Sequence, residues 1–259
     1  MTDLKSEVKE RERGFHDIRY GSEVDPRFQL EKYYSITHES QEVFRNLIRE
    51  SLTKDSRLLE YGCGMGESAD FHITLDCDFY GLDISPEAIK KAEAAARELS
   101  FKATYLVADA ENTMLDADSF DVIIGSGILH HLNLDNALPE LSRITKKSGC
   151  CVFTEPLGYN PMINLFRALT PRLRSSDEHP LMTDDFKKME QYFGKVEVFY
   201  FHFFSFGAVF LRKTPFFDRV RRRLARIDNY FVQTFDWFGK YCWICVIRLS
   251  DPIKSSQVA

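Results

Sequence analysis

Leu58-Leu59-Glu60-Tyr61-Gly62-Cys63-Gly64-Met65-Gly66-Glu67 is the stretch on which the fold turns. Its apolar start reads as a buried strand, its three alternating glycines as a tight turn, and the residues beyond as the start of a helix. Gly62 and Gly64 lack a Cβ, so the backbone can take positive φ and a ligand can lie directly on it. Gly66 lets the next helix begin close to the strand. Free N–H groups at such a helix start can hold a carboxylate or a phosphate.

The spacing separates two kinds of ligand. A dinucleotide turn wants G-x-G-x-x-G. Here the spacing is G-x-G-x-G, and Glu67 stands where the third glycine would be. Glu60, two residues before the first glycine, would repel a pyrophosphate and attract an ammonium group. A short glycine motif also serves any tight turn, so the rest of the chain has to decide.

Outward from this turn, strands alternate with helices. Arg57–Tyr61, Asp78–Asp83, Ala103–Val107, Phe120–Gly125 and Cys150–Thr154 read as strands. Helices are expected over Glu67–Leu75, Ser85–Ser100 and Asp135–Lys147, the last stopped by Ser148-Gly149. Ser85-Pro86-Glu87 supplies a cap hydroxyl, a proline at the first helical position and an acid in the first turn. Such alternation makes an α/β parallel sheet with right-handed crossovers. A helix over Thr183–Phe193 and strands over Lys195–Phe201 and Tyr241–Leu249 complete the expected elements. Upstream, Val43, Phe44, Leu47 and Ile48 recur at helical spacing within His38–Leu52, a segment expected to cap the ligand edge of the sheet. The chain thus divides into a tail and helical cap over residues 1–52 and a main domain over 53–259. Insertions at 156–193 and 202–239 interrupt that domain.

Composition narrows the class. The chain is 44% hydrophobic and 28% charged, with ample apolar content for a large core. A formal net charge of -5 gives no overall basic field for nucleic acid. The opening residues MTDLKSEVKERERG lack the apolar centre of a signal peptide, and no apolar run reaches the ~18 residues of a membrane span. A cytoplasmic protein is expected. The cysteines at 63, 77, 150, 151, 242 and 245 read as small apolar fillers in a reducing compartment. Cys242-x-x-Cys245 falls in an expected strand, where the two thiols would point to opposite faces. No second pair completes a zinc site, so no metal is expected.

In an open α/β sheet the ligand lies at the carboxyl ends of the strands. Asp83 ends the second strand, seventeen residues after Gly66, and a carboxylate there can accept both hydroxyls of a ribose or cap the following helix. Ile84 is placed to press on a base. Asp109, in Val107-Ala108-Asp109-Ala110-Glu111, can accept an adenine amino group while the neighbouring N–H serves a ring nitrogen. The fourth strand runs into Gly125-Ser126-Gly127-Ile128-Leu129-His130-His131-Leu132.

Glu60 to Gly66, Asp83, Asp109-Ala110 and Leu129-His130-His131-Leu132 resemble four successive motifs of the class I S-adenosylmethionine-dependent methyltransferase family, in that family's order, across about residues 55–155. The resemblance implies a Rossmann-like fold: a seven-stranded, mostly parallel sheet whose last strand inserts antiparallel between the fifth and sixth. It implies S-adenosylmethionine as cofactor. Glu60, Gly62, Gly64 and Gly66 would then serve the methionine end, Asp83 the ribose, and Ile84, Asp109 and Ala110 the adenine.

The acceptor is expected to be a small, fairly hydrophobic metabolite, methylated on oxygen or carbon as in secondary metabolism. Candidate bases are His130, Glu155 and His179; candidate acceptor contacts are Tyr33, Tyr34, His131, Asn160 and Arg174. Each keeps an alternative: a helix-start role for His131, a loop cap for Glu155, cap packing for the tyrosines, solvation for the arginines. The aromatic and arginine-rich stretch from Phe199 to Phe238 has two readings. It forms a pocket or interfacial surface for a lipid-like acceptor with an acidic head, or a cap with aromatic core and water-facing arginines. Peripheral membrane contact and a homo-oligomer stay open. Basic residues among aromatics raise RNA, but the acidic total argues against it, and no Asn/Asp-Pro-Pro-aromatic signature follows the fourth strand. A nicotinamide-dependent oxidoreductase and a cofactor-binding partner module without catalysis remain as rivals.

Overall fold

The computed structural model describes residues 9–11, 13–14, 17, 34–170 and 179–254. Seven strands form one sheet: β1 (Arg57–Tyr61), β2 (Asp78–Asp83), β3 (Ala103–Val107), β4 (Phe120–Ser126), β5 (Thr145–Pro156), β6 (Phe193–Phe201) and β7 (Ile244–Pro252). Their order is β3-β2-β1-β4-β5-β7-β6. β1 pairs in parallel with β2 and β4, and β4 with β5. β7 runs antiparallel between β5 and β6. This is the seven-stranded, Rossmann-like α/β sheet that the resemblance implied.

Side chains alternate across the sheet as strand geometry requires. Leu58, Phe79, Val122, Ile124, Val152 and Val246 form one buried face, with Ile48 and Phe71 packed on it. Leu59, Tyr61, Ile123, Cys151, Phe153 and Ile247 form the other. Helices cover both. α1 (His38–Ser51) lays Val43, Phe44, Leu47 and Ile48 on the first face. α2 (Ala69–His72) follows the glycine turn, and α3 (Pro86–Glu98) is capped by the Ser85 hydroxyl, which accepts from the Ala88 N–H. α4 (Leu134–Ile144) covers the second face through Leu134, Leu138, Leu141 and Ile144. The helix expected to cap the ligand edge therefore packs on a face of the sheet.

Several boundaries moved for identifiable reasons. α2 is one short turn, not the helix expected through Leu75. α4 stops at Ile144 because Thr145 already pairs with Phe120 and donates its hydroxyl to the Leu141 carbonyl at 2.6 Å. Ser148-Gly149 lies inside β5, beside a register shift. A Cβ on Gly149 would come within 2.7 Å of the Asp121 carbonyl oxygen. α6 (Thr183–Met189) is shorter than expected, since β6 begins at Phe193. Cys242 ends the 3-10 turn Gly239–Tyr241 and precedes β7, so the two thiols do not sit on opposite faces of a strand. Both are buried in one cluster.

Two further helices shape the cap: α5 (Pro161–Leu169) and α7 (Phe217–Thr234). Ile163 of α5 meets Ile36, Phe206, Val209, Phe217, Val220 and Leu224 in a small core of its own. Polar pins lock this cap. Buried Arg221 of α7 pairs with Glu39 of α1. Buried Asp228 accepts N–H groups from Phe203, Phe204 and Ser205 at 3.2, 2.6 and 3.1 Å. His202, at φ 70, lies between the Ser205 and Ser40 hydroxyls at 3.2 and 2.9 Å.

Burial, with Arg221 nearby, pushes His202 down to about 3. Burial, with Arg45 nearby, pushes His72 down to about 4, where its ring stacks on Phe79 at 4.7 Å. Both folded-state values lie below the usual 6.5, so the unfolded chain binds more protons as pH falls through that value. Stability is thus expected to fall from about pH 6.5 towards about pH 4, each imidazole contributing a slope of up to about 1.4 kcal/mol per pH unit. Urea midpoints across this range measure it. His202→Asn, which tolerates positive φ, should lower stability at pH 7 and flatten the acid slope; an unchanged slope would clear His202 of that role.

Candidate active site

The site is built at the carboxyl ends of β1 to β5. The glycine turn after β1 is held against β2, whose Leu82 carbonyl accepts the N–H groups of Gly62 and Cys63, each at 2.9 Å. Gly62, Gly64 and Gly66 have φ of 75, 51 and 75°, a region that L side chains enter at a cost. A Cβ on Gly62 would also lie 2.7 Å from Ile128 Cδ1. The turn thus needs glycine for both its backbone and its clearance beneath the β4 loop.

Asp83 braces the turn from the next strand. Its Oδ2 accepts the Gly64 N–H at 3.0 Å, and its Oδ1 the Ser85 N–H at 2.9 Å. The Ser85 hydroxyl pairs with Asp17 of the N-terminal segment. Half-buried Ile84 follows. One strand further out, Asp109 Oδ1 accepts the Glu111 N–H at 2.9 Å, and its Oδ2 pairs with Lys9. Lys9 also lies 3.4 Å from Glu111. Buried Ala110 offers its carbonyl to the Tyr61 hydroxyl. Lys9 and Asp17 are partners that sequence reasoning missed, because a charged tail carries no sign of where it lands.

Glu60 is the unusual group. It is buried on the central strand, its Oε2 makes no hydrogen bond, and His72 Nδ1 lies 3.6 Å from that oxygen. Burial, then the charges of Asp83 and Glu67, push its carboxyl up to about 8. A buried acid without a partner is costly, and an arriving ammonium group would relieve it. The orphaned oxygen, the glycine turn and the acids ending β2 and β3 fit S-adenosylmethionine. Glu60 and the turn would hold its amino-acid end, Asp83 its ribose, and Asp109 with Ala110 its adenine.

The second half of the site lies on β4 and β5. Glu155 is only 1% exposed. Its Oε1 accepts the Ile128 and Leu129 N–H groups at 2.9 and 2.8 Å, and its Oε2 meets His130 Nδ1 at 2.7 Å. A carboxylate used this way accepts from the ring, which assigns a proton to Nδ1; in the neutral tautomer Nε2 is then the acceptor. Glu155 is therefore engaged in shaping the β4 loop and orienting His130. His131 stacks against His130 with ring centroids 4.2 Å apart. His179 donates its backbone N–H to the His130 carbonyl at 2.7 Å, while its exposed ring lies 3.6 Å from Asp185.

The other candidates divide. Asn160 is buried; its oxygen caps α5 at Ile163 and its amide reaches the Tyr241 carbonyl at 2.9 Å. It ties the cap together, a role unlike the acceptor contact expected of it. Tyr34 is exposed, 6.0 Å from the Trp243 ring. Tyr33 and Arg174 lie outside the described residues. Arg167, on α5, is directed at the Leu157 carbonyl and Asn164 at 3.4 and 3.3 Å.

Comparison with known proteins agrees with this geometry. A family model described as a methyltransferase domain matches residues 59–153. The ubiquinone biosynthesis O-methyltransferase of Pelagibacter ubique is 34% identical over 97 residues, 37% of this chain and 40% of that protein. The match spans about two fifths of the length of such curated relatives. Among solved structures, Haemonchus contortus phosphoethanolamine N-methyltransferase 2 in complex with S-adenosyl-L-methionine superposes with a TM-score of 0.63 at 15% identity. That alignment covers 93% of this chain and 60% of that one. The YcgJ protein of Bacillus subtilis gives 0.52 at 17% identity, over 81% and 98%. At such identities the likeness is one of fold. Residues 59–153 thus match a methyltransferase domain, and the sheet order and the residues at its carboxyl edge agree with the fold of class I S-adenosylmethionine-dependent methyltransferases.

Proposed function

We propose that the protein transfers a methyl group from S-adenosylmethionine to a small, fairly hydrophobic metabolite, at oxygen or carbon, by in-line displacement. The observation that carries this reading is the division of the site about β1 and β4. Residues suited to the cofactor lie on β1 to β3, and His130, aimed by Glu155, lies across the switch point on β4 and β5. The cofactor supplies an electrophilic sulfonium methyl. The protein has to align the acceptor, exclude water and take up the acceptor's proton. His130 Nε2 is the group assigned to that proton, with Glu155 as its positioning residue. The 34% identity over 97 residues to a ubiquinone biosynthesis O-methyltransferase supports an oxygen acceptor. Action in the cytoplasm, in secondary metabolism, belongs to the same proposal.

Titration calorimetry with S-adenosylmethionine and, separately, NADH tests the cofactor; binding of NADH alone would overturn the reading. Because Glu60 holds a proton up to about 8, binding of the ammonium end at pH 7 should release one. Heats measured in buffers of different ionisation enthalpy count that proton, and Glu60→Gln should abolish its release and weaken binding.

For catalysis, a labelled methyl donor with metabolite extracts identifies the acceptor. His130→Ala should then lower kcat by about 10²- to 10⁴-fold with cofactor affinity little changed. Glu155→Gln should also slow turnover and shift the pH profile of kcat, which a loop-bracing role alone would not do. Full rate in His130→Ala would remove it from the chemistry.

A further inference from the structure

The cap presents a surface to which the proposed methyl transfer assigns no role. α7 buries one side through Phe217, Val220, Arg221, Leu224 and Asp228. Its outward side carries Arg219, Arg222, Arg223 and Arg226, all exposed. Arg212 and Lys213 extend this charge into the preceding loop. Between residues 212 and 226 there are seven basic side chains and one acidic, Asp218, in a chain of net charge -5. Of the seven, Arg221 is buried against Glu39; the other six form no ion pair with the described residues.

Apolar side chains stand among these cations. Phe210 is 81% exposed and Phe216 is 60% exposed. Phe216, Arg223, Ile227 and Tyr230 share one stripe of α7, at i, i+7, i+11 and i+14. On α5, Leu165 and Leu169 are 63% and 73% exposed, on the side of the helix away from buried Ile163. Both helices pack through the same small core, so their outward sides belong to one rigid cap. Exposed apolar residues grouped with cations mark an interaction surface rather than ordinary solvation.

We propose that this face of the cap docks on an anionic phospholipid bilayer. Charge complementarity selects the sign of the partner, since clustered arginines on an amphipathic helix are drawn to acidic headgroups. The side chains between them select hydrocarbon over nucleic acid. Leu165, Leu169 and Ile227 have no π-face on which a base could stack, but each gains by entering the acyl boundary. The inference goes beyond methyl transfer and does not depend on it, although a bilayer is also where a lipophilic acceptor would concentrate.

Co-sedimentation of the full chain with vesicles tests the proposal. Binding is expected to vesicles of equimolar phosphatidylcholine and phosphatidylglycerol, to weaken with added salt, and to be absent with phosphatidylcholine alone. Replacing Arg219, Arg222, Arg223 and Arg226 together by Gln should weaken binding at least about tenfold. Phe210→Ser with Phe216→Ser should weaken it several-fold. These side chains are exposed and lie outside the cofactor site, so unchanged cofactor calorimetry confirms that the variants fold. Vesicle binding requires no turnover, so its failure is distinct from failure of the methyl-transfer reading. No sedimentation with anionic vesicles, equal sedimentation with neutral ones, or variants that bind like the parent would each overturn the proposal. Preference for a single-stranded RNA oligomer over anionic vesicles would assign the face to nucleic acid and overturn it as well.

Discussion

A buried carboxyl group with an unpartnered oxygen at the middle of a sheet is the constraint around which this molecule is arranged. Glu60 sits on β1, paired with Gly81 of β2 and Ile124 of β4, and faces Asp83 and Glu67 rather than a cation. Such a group destabilises the fold, so its surroundings have to hold it in place by other means. Leu58, Leu59 and Tyr61 are fully buried on either side of it. The Leu82 carbonyl and the Asp83 carboxylate clamp the turn that follows. The unsatisfied oxygen is therefore held open by strong neighbours, and a site prepared in this way favours a cation without first having to reorganise.

The other half of the edge follows the opposite rule. Glu155 is more deeply buried than Glu60, yet both of its oxygens are engaged, by two backbone N–H groups and one imidazole. Its charge is matched, and its effect is to fix the β4 loop and the tautomer of His130. Two buried glutamates, two strands apart in the sheet order β1-β4-β5, thus differ in their surroundings because of their partners and not their chemistry. One leaves an oxygen without a hydrogen bond, and the other holds the β4 loop and the His130 ring.

That contrast explains what could be read in advance. β1, β2 and β3 match their expected bounds, because each is a short run containing β-forming apolar or aromatic residues between turn residues. The glycine turn was legible because positive φ restricts residue type. Thr145 to Gly149 was not. Whether those residues extend α4 or open β5 depends on Phe120 and Asp121, which lie far away in sequence. Asn160 and Glu155 were read as groups for a ligand because a sequence shows polarity but hides satisfaction. Lys9 was invisible for a similar reason: its meaning lies in Asp109, one hundred residues on.

α7 went unrecognised because its buried stripe contains Arg221 and Asp228, which break the apolar periodicity. Their burial shows that the helix is pinned as well as packed. One charge ties it to α1 through Glu39, and the other to the segment after β6 through three N–H groups. With its orientation set by these two residues, α7 does not need its outward arginines for stability. Exposed ion pairs contribute little in any case, and these arginines make none with the described residues. Clustering them on one face instead opposes folding slightly through mutual repulsion. A helix held by two buried charges can carry that repulsion, and an acidic surface laid against it would remove the repulsion.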